Sequence, residues 1–575
     1  MEKWTKYIIR LFVVIIGLGL LLLSLFLLFI EYEKLIFIVL ESAGKLYKIE
    51  EFKSEYLSQT KFQLIKFLII VSTLFFFGVT YKWYKQFENG IIALLRFVFI
   101  GLRIEISEIS KKDWYLFAVV FSLATIVKAY YFYSQPITND EAFTFINYVN
   151  PGFAASLSYY NLTNNHILHS LLCNVFNLLP VSPVYTLRIA SFIVGAVTLI
   201  VVFILFRKLL SNKAAFFAFL FFSFVPPIIQ YGFLARGYSL ILLFTTISTF
   251  VLFELVHDNK NRKKHWLIFI ISSVLGFYSI PIYLYVFVSH FVFYFIYLVR
   301  VSDDIIRNLK ELVVISAIIG LLVIVLYSPI VLVSGLDALI GNEVIESLSI
   351  SQFTEQFPEF FMDYILWIFG GSIYLTGLSL VVTSVGLIYS FKKKQNLFIL
   401  IVSFILVPIL VASIQRIELY NRLFVFVILF ISMAIGLFVE LLLYTFKRKK
   451  IWSDLALYGS AILLATIMLL SLNSTCEYEK QKNNMAYRFV DKIENNSIIF
   501  STNSVRYYTF LKFKAMFLDK KQIELIREDF DENYAYDYIS ETKAENENYV
   551  LLSKYKYSMV YNDKFIRLYK RIAEN

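Results

Sequence analysis

The chain reads as an all-α polytopic membrane protein with about thirteen transmembrane helices and a small C-terminal extracytoplasmic α/β domain. Three observations carry that reading. Apolar runs of about 20 residues recur from the N-terminus to residue 471, each long enough to cross a bilayer as a helix. Lysine and arginine gather in every second loop between those runs, the pattern of cytoplasmic loops. Residues 472–575 are polar and hold short strand-like runs instead.

Composition agrees with this class. The chain is 59% hydrophobic, with mean hydropathy +0.68, against about 45–50% apolar residues in a soluble domain. Its 59 Phe and 40 Tyr suit lipid-facing and interfacial positions. The apolar runs are too long for barrel strands and do not alternate, which excludes a β-barrel. A net charge of +11 on a soluble protein would hint at nucleic acid. Here the basic residues sit in short loops, so topology accounts for them and no nucleic-acid partner is expected. Cys173 and Cys476 form no CxxC or zinc pattern. The first apolar run lacks a small-x-small cleavage site and reads as an uncleaved anchor.

In chain order, spans are expected at 7–30, 62–80, 113–133, 187–206, 213–230, 237–256, 265–280, 281–300, 313–335, 365–390, 396–413, 423–445 and 452–471. Pro281 blurs the turn within 265–300, and a single tilted helix there would reverse every later loop. Lys3, Lys6 and Arg10 put the N-terminus inside. The basic clusters at 82–112, 207–213, 260–264, 300–310, 392–394 and 447–450 then all fall on the cytoplasmic side. Enrichment in Asn, Lys and Ile fits a bacterium, hence the cytoplasmic (inner) membrane. Residues 1–112 form an N-terminal extension of two spans and a cytoplasmic amphipathic segment within 81–112. Residues 113–471 form a transmembrane core with a large outer loop at 134–186. Residues 472–575 form the outer domain, with strand-like runs at Ser497–Phe500, Tyr549–Leu552 and Phe565–Tyr569, and helices expected over Val505–Phe517 and Lys520–Ile526.

The outer loop carries the candidate chemistry. Asp140 and Glu141 follow span three directly. Adjacent helical residues point about 100° apart, so either one acts while its neighbour orients, or both cap the helix that follows. A carboxylate at the membrane face can take a proton from an incoming hydroxyl or amine. His166 and His169 are three apart and share a helical face. With oxygen from Asp140 or Glu141 they make a candidate divalent-metal set. The alternative is hydrogen bonding that fixes the loop around Tyr160, Asn164 and Asn165, with Asn164 as a helix cap. Arg236, in the turn 231–238, and Arg422, at the end of 415–422, lie on the outer side, where arginine is disfavoured. A guanidinium fork matches phosphate oxygens, and an arginine at a membrane boundary is a functional candidate; snorkelling to lipid headgroups is the alternative. Arg188, at the start of span four, is read as snorkelling. Lys128, near the outer end of span three, is a lesser phosphate candidate.

Taken together, Asn139-Asp140-Glu141, the run from Tyr160 to Asn164-Asn165-His166, Ala235-Arg236-Gly237-Tyr238 and Tyr420-Asn421-Arg422 resemble the polytopic glycosyltransferases that use polyprenyl-phosphate sugars. That GT-C superfamily includes protein O-mannosyltransferases and the aminoarabinose transferases of lipid A. The resemblance covers residues 113–575 and leaves 1–112 without a role. It implies that Asp140 is the catalytic base, deprotonating an acceptor that attacks the anomeric carbon with inversion. It implies that Glu141 orients the acceptor or a metal, and that Arg236, Arg422 and Lys128 hold the phosphate leaving group. Tyr160, Asn164, Asn165, His166 and Tyr238 would organise the loop or the acceptor. Relatives differ in metal use, so His166, His169 and Glu141 remain an open metal set and no cofactor is required. The implied partners are a polyprenyl-phosphate-linked sugar, the lipid bilayer, and a glycan, lipid or protein acceptor.

Two other readings compete. A transporter fits many spans, but the middles of these spans carry few ionisable residues and no inverted halves are visible. An O-antigen ligase or polymerase would lean on a large outer loop late in the chain, whereas the long outer loop here is early.

Overall fold

The computed structural model describes residues 2–42, 49–160, 162–257, 261–301, 304–340, 347–417, 420–445, 450–501, 505–526, 531, 534–542, 555–562 and 566–572. Eleven of the described helices are long and apolar enough to cross a membrane, so the chain is a multi-pass membrane protein. Two of the thirteen expected spans are shorter or less apolar. The first, expected at 213–230, is a pair of helices, Asn212–Phe224 and Pro226–Tyr231. Val225 sits between them in an extended conformation because Pro226 follows it. Every residue from Ala214 to Phe224 is buried, so this helix is a central post of the bundle. The second is Arg262–Ser279, which turns at Ile280 into Tyr283–Val301, so the 265–300 region is indeed two helices.

The N-terminal extension departs further from expectation. Span 62–80 and the amphipathic segment after it are one helix, Gln59–Ser107, 49 residues long. Nothing between the caps at Ser58 and Glu108 stops it: the stretch holds no proline. At 1.5 Å per residue it is about 73 Å long, far more than one bilayer core. It packs along Glu2–Phe29, where Arg10 Nε meets Glu88 Oε1 at 2.9 Å and Ser24 Oγ meets Thr73 Oγ1 at 2.8 Å. Near its far end the Phe97 ring stands edge-on to His265 of the core, 5.3 Å away.

In the core, helices Ile373–Lys393 and Val427–Thr445 approach so closely that a Cβ at Gly386 would lie 2.0 Å from the Ala434 carbonyl oxygen. Close helix contact through small residues is how membrane bundles gain packing. Gly386→Ala should cost about 1–3 kcal/mol, whereas Gly90→Ala, which meets open space, should be neutral or stabilising. Thermal unfolding of both variants in detergent checks this.

The final long helix, Lys450–Arg488, runs past its expected end at 471 and carries the chain directly into the C-terminal domain. Among its described residues that domain is a five-stranded sheet of β1 (Ser497–Ser501), β2 (Ile523–Ile526), β3 (Tyr538–Thr542), β4 (Tyr557–Asn562) and β5 (Ile566–Arg571), in the order β2-β1-β3-β5-β4. β1 pairs parallel with β2 and β3, and β5 pairs antiparallel with β3 and β4. The helix expected at 520–526 is strand β2, because pairing with β1 overrides a local pattern too short to decide. The run Tyr549–Leu552 lies outside the described residues. Between β1 and β2, helix Val505–Lys512 passes into a π-helical turn, Phe513–Leu518. This segment packs on the loop that carries Asp140, so the domain and that loop share one face of the bundle.

Candidate active site

Local sequence builds the acid helix, Asn139–Thr144. Thr138 is its N-cap and closes a capping box: Thr138 Oγ1 accepts from the Glu141 backbone N–H at 3.3 Å, and Glu141 Oε2 accepts from the Thr138 N–H at 2.8 Å. This Thr-x-x-Glu reciprocity satisfies two otherwise orphaned donors. A π-helical turn, Phe145–Val149, follows at once; such turns recur at functional sites.

The box turns Glu141 inward. Its side chain is 0% exposed and forms a two-pronged pair with Arg188, itself 0% exposed: Nε to Oε1 at 2.8 Å and Nη2 to Oε2 at 2.7 Å. Ala235 N–H donates to Oε1 at 2.8 Å. Arg188 spends its remaining donors on the carbonyls of Phe132, Gln135 and Pro136, at 2.8–3.0 Å. Burial alone pushes the Glu141 carboxyl up, but Arg188 and the Ala235 and Thr138 amides outweigh it and hold the group below its ordinary value. Glu141 is thus a charged anchor with no oxygen left for an acceptor or a metal. Arg188, read from sequence as snorkelling, is instead the clasp that binds the acid helix to the bundle.

Asp140 points the other way. Its side chain is 34% exposed, and its Oδ2 lies 3.6 Å from Arg236 Nη2 and 3.5 Å from Arg422 Nη1. Those separations exceed the 2.7–2.9 Å of a charge-assisted hydrogen bond, so the three groups surround a space rather than seal it. Arg422 is 41% exposed and Arg236 only 5%. Arg236 is held by Asn164, whose Oδ1 accepts from its Nη1 and whose Nδ2 donates to the Asp140 carbonyl at 3.2 Å. The Arg236 Nε–H is buried without a partner among the described residues. Arg422 sits over the Tyr420 ring, 5.5 Å from its centroid, and Arg236 lies 5.9 Å from Tyr238. Tyr238 in turn packs on Tyr231 at 4.5 Å and edge-on to His166 at 5.3 Å.

The polar cluster fixes the loop around this space. Asn165 Nδ2 donates to the carbonyls of Ser156 and Tyr159 at 3.0 Å, and its Oδ1 accepts from Ser170. Tyr160 is tied at its backbone N–H to Ser334 Oγ, and burial of its ring pushes the hydroxyl up to about 12. His166 Nδ1 accepts from Gly237 N–H at 2.7 Å. His169 Nε2 meets Ser191 Oγ at 2.9 Å, and that hydroxyl donates to the Arg236 carbonyl.

The candidate metal set does not assemble. Glu141 is saturated by Arg188, His166 presents Nδ1 to Gly237, and His169 faces Ser191 and Cys173. Among the described residues no group of three His, Cys, Asp or Glu side chains is arranged to hold a metal ion. Lys128 also stands apart. Six residues before the end of its helix at Ser134, it lies about 9 Å inside the bundle. Its stem fills the place a side chain at Gly232 would take, and it shares a small cavity with Gly195, Thr198 and Ser239, which neither Arg236 nor Arg422 lines.

Burial, with help from Arg236, depresses both imidazoles, that of His169 to about 3. Unfolded histidine takes up its proton near pH 6.5. Below that pH the unfolded chain therefore binds more protons, and stability falls as pH drops towards about 3. Lowering pH from 7 to 5 should lower the thermal midpoint, and His169→Gln should flatten the slope by up to about 1.4 kcal/mol per pH unit.

Comparison with known proteins agrees with this architecture. Residues 166–332 match the family described as dolichyl-phosphate-mannose-protein mannosyltransferase. No curated protein matches the chain by sequence. The solved structure of ArnT from Cupriavidus metallidurans in the apo state aligns with a TM-score of 0.54 at 11% identity, covering 79% of this chain and 97% of that one. The same protein bound to undecaprenyl phosphate gives 0.55 at 10% identity, covering 81% and 99%. In its fold, and in the sequence of its 166–332 segment, the chain is similar to the GT-C glycosyltransferases that use polyprenyl-phosphate-linked sugars.

Proposed function

We propose that this protein is an inverting glycosyltransferase that moves a sugar from a polyprenyl-phosphate donor to an acceptor on the outer face of the cytoplasmic membrane. The likeness to the mannosyltransferase family and to ArnT supports a membrane glycosyltransferase with lipid-linked donors. The observation that carries the finer reading is one carboxylate oxygen, Asp140 Oδ2, set between two guanidinium groups in a partly open site.

Two positive charges face one negative charge there, so the site is complementary to a phosphate. When phosphate draws Arg236 and Arg422 to itself, the Asp140 carboxylate is left facing the acceptor. It then accepts the proton of the acceptor hydroxyl or amine. The acceptor atom bonds to the anomeric carbon from the side opposite the leaving group. The carbon–oxygen bond to phosphate breaks, and its electron pair leaves with polyprenyl phosphate. The arginines meet charge that grows towards the transition state, where electrostatic help lowers the barrier. Glu141, His166 and the Asn164–Asn165 pair act by position: they hold the acid helix and Arg236 in register.

The test is turnover of a panel of undecaprenyl-phosphate sugars by purified protein in detergent, with cell-envelope acceptors added. Release of undecaprenyl phosphate supports the reading and identifies the sugar; no release from any donor sinks it. Arg422→Ala should lower kcat/KM for the donor about 10²–10³-fold while leaving the acceptor dependence unchanged. An unchanged donor dependence would assign Arg422 to lipid headgroups.

A further inference from the structure

The acid helix is clasped by Arg188, and the C-terminal domain packs on it and on the turn that follows. Phe513, the first residue of the domain's π-helical turn, stands edge-on to Phe145, the first residue of the π-helical turn after the acid helix: 5.4 Å between centroids, 87° between planes. Phe517 meets the same ring at 5.0 Å and 82°. Phe510 and Phe513 are fully buried, in one apolar cluster with Ala142, Leu187 and Ala235. Each of those three lies one or two residues from a charge of the site: Ala142 beside Asp140 and Glu141, Leu187 before Arg188, Ala235 before Arg236. The cluster is therefore the back wall against which the charged residues are set. Edge-to-face pairs of this kind hold a preferred geometry beyond their burial.

From this we infer that Phe513 and Phe517 are positioning residues: the C-terminal domain sets the orientation of the Asp140 helix by gripping Phe145, and is a working part of the active site. The inference rests on the transferase reading for its catalytic consequence, but not for the grip itself. A cysteine placed at position 140 (Asp140→Cys) reports the grip without any turnover. Its modification by a charged maleimide is timed with and without Phe513→Ala/Phe517→Ala, against the same proteins lacking the new thiol, since Cys173 and Cys476 are native.

Release of the helix should change the modification rate about tenfold, because local opening free energy sets the exposure of the thiol. In the otherwise native chain the same pair of substitutions should lower kcat about 10²-fold, the expected cost of misplacing a base by about 1 Å. The KM for donor should stay within about twofold, since Arg236 keeps its bond to Asn164 and Arg422 lies apart from the cluster. Phe513→Leu/Phe517→Leu, which keep most of the packing volume, should restore most of kcat. If the alanine pair fails to fold, Phe517→Ala alone reads the same contact in the same direction. An unchanged thiol rate overturns the inference, as does a loss carried wholly by donor KM. A wild-type protein without transferase activity sinks the proposed function alone, because the thiol rate still decides the grip.

Discussion

Asp140→Asn is expected to lower transfer about 10³-fold or more, within the upper range for loss of a general base. The amide has the shape of the carboxylate but cannot take a proton from the acceptor. The acid helix should survive, because its capping box and its clasp use Thr138, Glu141 and Arg188, and the Asp140 contacts of Asn164 and Thr144 are to the backbone carbonyl. Removing the negative charge also leaves Arg236 and Arg422 facing each other without a counter-charge. A phosphate should satisfy them at least as well as before, so donor binding is retained or tightened while kcat collapses. Release of undecaprenyl phosphate, measured beside donor binding and detergent monodispersity, checks both halves. Full activity would remove Asp140 from the chemistry; weakened donor binding with unchanged kcat would make it a binding residue.

Arg188→Ala should be the most destabilising single substitution at the site. It deletes five hydrogen bonds and leaves Glu141 buried, charged and without its partner. Breaking one side of a buried pair costs about 3–5 kcal/mol, mostly the penalty on the stranded charge. Arg188→Lys should recover little, since an ammonium cannot reproduce the planar fork. In Arg188→Ala, burial acts on Glu141 unopposed by the guanidinium and raises its proton affinity, so the Glu141 contribution to this variant's stability should grow as pH falls, against the loss from the two histidines. The native protein moves the opposite way, because its Glu141 is held below its ordinary value and its stabilisation is lost as pH falls. Adding Glu141→Gln to Arg188→Ala should recover part of the loss, a coupling that a double-mutant cycle in thermal stability measures. Additive losses would show that the two residues act independently.

These two predictions divide along the line between what sequence shows and what folding decides. The sequence by itself determined the membrane class, and it marked out the candidate site loop and the chemistry proposed for it. Apolar run length and loop charge answer to the bilayer, which acts on each segment separately. The Thr138-x-x-Glu141 box is a contact within one turn. The Asn139-Asp140-Glu141, Ala235-Arg236 and Asn421-Arg422 motifs are each local in sequence. Even the 49-residue helix was legible in principle, since no proline interrupts it.

Only the tertiary structure decided which carboxylate is free. Glu141 and Asp140 are neighbours of equal intrinsic chemistry. They part because Arg188, 47 residues away from Glu141, is buried beside it while Arg236 and Arg422 converge on Asp140. Lys128 stands apart from the phosphate candidates because its place along the helix put it inside the bundle, and the two histidines form no metal set because a backbone amide and a hydroxyl took one nitrogen of each. The grip of Phe513 and Phe517 on Phe145 joins the C-terminal domain to an early loop of the core. Pairings of this range are set by how helices pack, and packing is a property of the whole bundle that no local pattern encodes.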